Sequence, residues 1–456
     1  MSSSFATIAP PRSEAGTLWL HMRKTVVLAA PIALSLLAEM AMGLISTMML
    51  GSLGANALAA GGLASNLFFT VLIVMQAMLS GVGVLAAGAL GAGKPGSVPG
   101  IYWSGVLLGC CLAVPLLLLF SVPSALLRLM HVSGSLIPDI SAYLRMLRWG
   151  VPGGIVGVGM MRQFLPAVGL QRMLLWVMPC GVVLHALFNQ VLIHGAFGIK
   201  GFGLVGSAAA TSLTLTVLAA GLLGLLHGSR HFHHFVVAAM PTRAVLRPLF
   251  AIGLPVGGTI AVEAGFFAAT GVVAGTLGPA ILASHMIALS ATSVLFMVPL
   301  SLSQAANVRV ATAMGAGNPP AARLAGFSAI LLGVAFMGAS ALLFRLAPGL
   351  IVAAYLGPVT IGNQATATLA PKLLRVAGVF QIADGTQVTA AGALRGLRDT
   401  RLPMILAALG YWGVGFWAGR YLAFDVGLGA VGLWWGLCAG LAAVAFCLTA
   451  RFAWLS

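Results

Sequence analysis

The sequence predicts an all-α integral membrane protein of about twelve transmembrane helices in two parallel six-helix lobes. Three observations carry this reading. Of 456 residues, 60% are hydrophobic and only 7% charged, too little charge for the surface of a soluble globular protein. Mean hydropathy is +1.07, and apolar runs of about 20 residues, the length that crosses a bilayer, recur along the whole chain. The chain also repeats itself at a fixed offset.

The apolar runs fall at 25–50, 57–88, 101–126, 140–166, 173–195, 201–227, 248–276, 281–313, 324–347, 362–393, 402–424 and 428–452. The intervals between them are short and hold Gly, Pro, Asn and most of the charge, so no separate soluble domain is expected. An alternating ten-residue pattern with turns, the mark of a membrane β-barrel, is absent. The first 24 residues carry Arg12, Arg23 and Lys24 but no short apolar core with a cleavage site, so no removable signal peptide is expected.

A net charge of +16 invites a nucleic-acid reading, but its distribution argues for topology instead. With a cytoplasmic amino terminus, 15 of the 23 Lys and Arg residues fall at or near the inner side and eight at the outer side. That is a positive-inside bias with both termini cytoplasmic, and it leaves no nucleic-acid partner to invoke. The five cysteines lie inside apolar runs without metal or disulfide spacing and read as small packing residues.

The repeat is visible in "LGAGKP" (Leu90–Pro95) and "MGAGNP" (Met314–Pro319), 224 residues apart. At that offset Pro31 meets Pro255, Gly54 meets Gly278, and 16 of the 65 positions in 31–95 are identical. Beyond it, the same offset pairs Gln163 with Gln387, Leu170 with Leu394 and Pro179 with Pro403. An even number of spans per repeat makes the halves parallel, an architecture of secondary transporters with binding near the midplane. The expected units are an amino-terminal lobe (1–228), a cytoplasmic linker (229–247) rich in histidine, and a carboxyl-terminal lobe (248–456).

Of the seven acidic residues, Glu14, Asp139, Asp399 and Asp425 fall in the tail or near span ends. Glu39, Glu263 and Asp384 lie deep in apolar runs, and Glu39 is the repeat mate of Glu263. An acid at the bilayer centre costs about 2.5–3.5 kcal/mol on the insertion scale, so such groups mark ion or substrate sites, or else find a partner. Gln381, Asp384 and Gln387 share one side of their helix. A desolvated carboxylate can bind a proton or Na⁺, or pair with a cationic substrate; if the same group serves both in turn, the result is antiport. Glu39, Glu263 and Asp384 are therefore the candidate residues for binding a coupling cation, H⁺ or Na⁺, or a cationic substrate. Ser46, Asn189, Thr211, Gln304, Asn307, Gln381 and Gln387 are candidate polar cavity residues, with Ser46 two turns after Glu39, about 10.5 Å along the same face. Interhelical hydrogen bonding is the alternative for each of them. No nucleotide-binding loop, zinc motif or Ser-His-Asp arrangement occurs, so neither an enzyme nor a bound cofactor is expected.

"LPVGGTIAVEAGFFA" (254–268), "MVPLSLSQAANVRVATAMGAGNP" (297–319) and "FQIADGTQVTAAGALRGLRDTRLPM" (380–404) resemble the multidrug and toxic compound extrusion (MATE) transporters, in the NorM-like branch. The resemblance covers nearly the whole chain. It implies two six-helix lobes around a V-shaped cavity, and export of cationic or amphiphilic compounds in exchange for H⁺ or Na⁺ across a bacterial inner membrane, by a protein functional as a monomer. It implies that Glu263 and Asp384 bind the coupling cation, and that Asn189 and Thr211 belong to the amino-terminal lobe site. Three positions depart from the family pattern. Ser46 stands at the common first-helix Asp, His185 at a fifth-helix Asn, and Phe380 at an aromatic Tyr. Glu39 is expected to replace the missing acid. A rival of similar architecture is a lipid-linked oligosaccharide flippase, which would use Arg145, Arg148 and Arg162 of the fourth span to hold a diphosphate.

Overall fold

The structure, a computed structural model, describes residues 18–456 except His131, Phe197 and His231. Arg12 and Glu14, and His231 of the linker, lie outside the described residues. Twelve long helices follow one another: α1 (Leu18–Gly51), α2 (Ala55–Gly91), α3 (Pro95–Leu119), α4 (137–167), α5 (Arg172–His194), α6 (Gly203–Gly228), α7 (Arg243–Thr276), α8 (Pro279–Gly315), α9 (Pro319–Leu346), α10 (Gln364–Gly396), α11 (Arg401–Asp425) and α12 (Gly429–Leu455). Ten of them are long and apolar enough by composition to cross a membrane. The other two, α4 and α10, carry Arg162 and the Gln381, Asp384, Gln387 stripe, and these four side chains are buried. Their polarity turns into the protein, where other helices replace lipid as surroundings.

Several boundaries differ from the sequence reading. The third span ends at Leu119 rather than 126, and a separate short helix, Pro123–Leu129, follows with proline at its first turn, where proline is favoured. A matching short helix, Pro348–Leu356, follows α9. The helix of the seventh span begins at Arg243, five residues before 248, so the non-helical part of the linker is shorter than 229–247.

Backbone geometry fixes the register of the repeat. Gly54 (φ 106°) matches Gly278 (φ 122°), and Gly93 (φ 68°) matches Gly317 (φ 66°), both at 224. These are left-handed turn residues, for which glycine is the default. The next such match is Gly169 (φ 80°) with Arg398 (φ 63°), an offset of 229. In agreement, α4 and α10 end at 167 and 396, and α5 and α11 begin at 172 and 401. The pairing of Gln163 with Gln387, Leu170 with Leu394 and Pro179 with Pro403 is therefore corrected: five residues enter the second half between α9 and the end of α10. The identities at 224 in this stretch are coincidences of composition.

Each half has its own apolar core. One is built around Phe68, Phe120, Tyr143 and Phe164, the other around Phe266, Phe380, Tyr411, Trp434 and Phe452. Between the halves the packing is two-fold symmetric in the repeat. A Cβ on Gly91 would meet Thr312 O at 2.0 Å, and a Cβ on Gly315 would meet Gly88 O at 2.1 Å; Gly88 is the mate of Thr312, and Gly91 of Gly315. Likewise Gly253 lies against Met78 O, while their mates Ala29 and Leu302 pack in one cluster. This is the reciprocal pattern of a two-fold interface. The side-chain hydrogen bonds that cross between the halves, among the described residues, sit at the same end. Arg309 of α8 donates to His21 O (2.6 Å) and Thr25 Oγ1 of α1, and Thr25 bonds Ser328 of α9 at 3.2 Å. The halves are thus joined at the end that carries Lys94 and Gly317.

Candidate functional site

In the first half, Glu39, Met42, Gly43, Ser46, Phe69, His185, Thr211, Thr214 and Leu215 enclose a cavity of about 20 Å³. Glu39 and Ser46 line it together, as their spacing requires. Glu39 Oε2 accepts from Arg162 Nη2 at 2.6 Å, with 21% of the Glu39 and 5% of the Arg162 side chain exposed. The acid expected to be available for a cation already has one beside it.

The neutral polar groups are likewise satisfied from within. Thr214 Oγ1 donates to Ala210 O, so at 3.0 Å it accepts from His185 Nδ1–H. The Asn189 amide donates to His185 O at 2.9 Å and to His185 Nε2 at 3.0 Å, and Ser46 Oγ lies 2.8 Å from the same nitrogen. His185 is therefore held as the Nδ1–H tautomer, an acceptor at Nε2. Asn189 Oδ1 accepts from Ser207 Oγ at 3.0 Å, and Ser207 meets the Tyr143 hydroxyl, which meets Ser65. Thr211 donates to Ser207 O. The histidine that replaces the family's asparagine is the hub of a closed network, and the serine that replaces its acid is a spoke. Asn189 itself is fully buried and does not border the cavity.

The second half is built differently. Phe267, one turn after Glu263 on α7, meets Phe380, one turn before Asp384 on α10, with ring centroids 6.0 Å apart. Successive spans alternate in direction, so α7 and α10 run antiparallel and Glu263 and Asp384 face each other across the lobe interior. Each carboxylate lies within electrostatic reach of the other, and Tyr411 of α11 lies within reach of both. Tyr411 stacks on Phe266 at 5.5 Å with rings 3° from parallel. Asp384 is 5% exposed, and Oδ1 of Asp384, both amide atoms of Gln381, Oε1 of Gln387 and the Tyr411 hydroxyl are buried without a hydrogen-bond partner. Buried polar atoms are normally paired; of these unpartnered groups only Gln387 borders a cavity with Glu263, and Asp384, Gln381 and Tyr411 do not line it. Glu263 and Gln387 border a cavity of about 30 Å³ that also touches Thr259, Ala391, Arg395, Asp399 and Thr400. That volume suits a water or a bare ion and is about tenfold below a drug-sized pocket.

Two expected cavity residues belong elsewhere. The α8 backbone packs against α10 with Ser303 O beside Gly392 and Asn307 O beside Gly396. Gln304 and Asn307 are therefore about 13 Å and about 18 Å nearer the joined end than Asp384, buried, with their carbonyl oxygens unpartnered there.

The corrected register explains why the halves differ. At offset 229 Arg162 corresponds to Ala391, which borders the Glu263 cavity, and Asp384 corresponds to Ile155. The first half has a carboxylate plus an arginine, and the second has two carboxylates with alanine in place of the arginine. Sequence reasoning missed the Arg162 partner and Tyr411, because each joins the site from another helix, and gave Arg395, on α10 itself, no site role; a structural register was the signal that could have found the first.

Comparison with known proteins agrees with this architecture. The MatE family model matches twice, over residues 31–191 and 255–419, one match to each half and 224 residues apart at their starts. The chain is 50% identical to the multidrug resistance protein NorM of Burkholderia vietnamiensis, covering 97% of this chain and 95% of that protein. It is 36% identical to a probable multidrug resistance protein NorM of Mesorhizobium japonicum, covering 95% and 94%. Among solved structures it superposes on a MATE protein in complex with MaL6 with a TM-score of 0.86 at 20% identity, covering 95% of this chain and 97% of that one. The chain belongs to the MATE transporter family, in its NorM-like branch.

Proposed function

We propose that the protein is a multidrug efflux antiporter that exports organic cations and amphiphiles by alternating access, driven by H⁺ or Na⁺. The observation that carries this reading is the contrast between the halves. Glu263 and Asp384 face each other with Gln381, Gln387 and Tyr411 unpartnered around them, whereas Glu39 is neutralised. Two nearby acids without a basic partner bind a small cation strongly, and entry of a cationic substrate into the same field opposes it. The coupling cation is assigned to the carboxyl-terminal lobe, with Tyr411 as an additional oxygen ligand. In the amino-terminal lobe Glu39, Ser46 and Thr211 line the substrate-facing wall, and Arg162 holds Glu39 in place. The names of the NorM relatives, multidrug resistance proteins, support small-molecule substrates. Both termini are assigned to the cytoplasm of a bacterial inner membrane on the positive-inside distribution, with the monomer as the working unit. No cofactor beyond the coupling ion is invoked.

The flippase reading is not favoured by the arginines it would need. Arg162 is paired with Glu39, and Arg148 donates to Ser121 and stacks on Trp149. The test is dye efflux from energised cells or vesicles, with the proton and sodium gradients collapsed separately. Efflux unaffected by either collapse would contradict coupled antiport.

A further inference from the structure

The cavity beside Glu263 does not end at the carboxylate. Its walls continue along one face of α10, through Gln387, Val388 and Ala391 to Arg395 and Asp399, and along α7 from Glu263 back through Ile260 and Thr259 to Val256. Asp399 and Thr400 lie between α10 and α11, at the joined end of the molecule that carries Lys94 and Gly317. The path from Gln387 to Arg395 is about 12 Å along the helix. The lining runs from Glu263 toward the joined end, inside one lobe and separate from the interface between the lobes.

Charge along this path is ordered. Glu263 stands at its inner end. Asp399 at the outer end is neutralised by Arg451, whose Nε lies 2.5 Å from Asp399 Oδ2. Between them stands Arg395, partly exposed, whose side chain makes no hydrogen bond or ion pair among the described residues and whose Nε is buried without a partner. In the first half the arginine corresponding to Ala391 closes the equivalent space by bonding Glu39. In the second half the arginine lies one turn further along and lines the same cavity as Glu263 without an ion pair to it among the described residues.

We propose that Arg395 is the electrostatic plug of the coupling site: a fixed positive charge that stops the cation held at Glu263 from leaving through the lobe's own cavity, so that it crosses the membrane only with the alternating movement of the lobes. An unpaired guanidinium lining the cavity repels cations, as arginines do in pores that exclude protons and other cations. The proposal rests on the assignment of the coupling cation to Glu263 and Asp384.

The test uses the full-length protein in sealed proteoliposomes, with a proton or sodium gradient imposed, an internal reporter dye, and no organic substrate. Wild type and Arg395→Lys hold the gradient. Arg395→Gln leaks at least roughly tenfold faster, and Arg395→Gln combined with Glu263→Gln is tight again, because the leak passes through the carboxylate. Ala391→Arg combined with Arg395→Gln also restores tightness, by returning a positive charge to the passage. Should Arg395→Gln not insert, Arg395→Met carries the same expectation. An uncharged variant as tight as wild type, or a leak that persists without Glu263, overturns the plug. Gradient-driven efflux retained by Glu263→Gln alone overturns instead the site on which it rests, so the two failures are distinguishable.

Discussion

Arg162 Nη2 lies 2.6 Å from Glu39 Oε2, and this ion pair separates the carboxylate of the first half from its repeat mate. Glu39→Gln leaves the Arg162 charge buried without a counter-charge, at a cost of about 3–5 kcal/mol for a broken buried pair. The expected outcome is a lower melting temperature in detergent, largely recovered by adding Arg162→Gln. If Glu39 instead takes up the coupling proton itself, Glu39→Gln flattens the pH dependence of efflux for every substrate; the pair predicts an unchanged pH profile in the double variant.

Gly315 is one of the tight points of the closed end. A methyl group there meets Gly88 O at 2.1 Å, and backbone cannot rotate aside as a side chain can. Gly315→Ala is expected to destabilise closure at this end by about 1–3 kcal/mol, which shifts the balance of lobe conformations on the order of 10-fold or more. The measurement is the labelling rate of a cysteine placed at Ala92, faster in the Gly315→Ala background. Unchanged labelling would mean that the interface observed does not limit access.

Orientation follows from the charge distribution. Cysteines at Gly54 and Gly278 should label with an impermeant reagent in intact cells, and cysteines at Lys94 and Gly317 only after permeabilisation. Labelling at position 94 from outside reverses the assignment.

Tyr411→Phe removes a hydroxyl that is buried and unpartnered beside two carboxylates, while the ring stack on Phe266 remains. The apolar core should be untouched. The coupling-cation concentration for half-maximal efflux should rise about fivefold or more, the scale of one net hydrogen bond or oxygen contact. A loss of thermal stability with unchanged cation dependence would make Tyr411 a packing residue.

The span count and the paired architecture were legible because hydrophobic length and repeated turn motifs are local properties. Lys94 and Asn318 follow matching glycines, and those glycines adopt the left-handed turns that the motif suggests. The second part of the register was misread because apolar, glycine-rich helices match one another at many offsets; only the turn at Gly169 and Arg398 fixes it. Glu39, Glu263 and Asp384 were legible as sites because acids are rare in apolar helices. Their environments were not, since whether an acid meets Arg162 or Ala391 depends on which helix lies opposite. For the same reason Gln304 and Asn307, polar and in a span, were grouped with Asp384 although α8 carries them toward the joined end.

The central claim is that the unneutralised carboxylates of the second half carry the coupling cation. Its most direct test is gradient-driven efflux of a cationic dye by Glu263→Gln and Asp384→Asn, with insertion checked by membrane yield and monodispersity. Amides keep the shape and much of the hydrogen bonding while removing the charge. The account predicts that each variant inserts normally and that gradient-driven efflux is lost in both. Coupled efflux near the wild-type rate in either variant would contradict it.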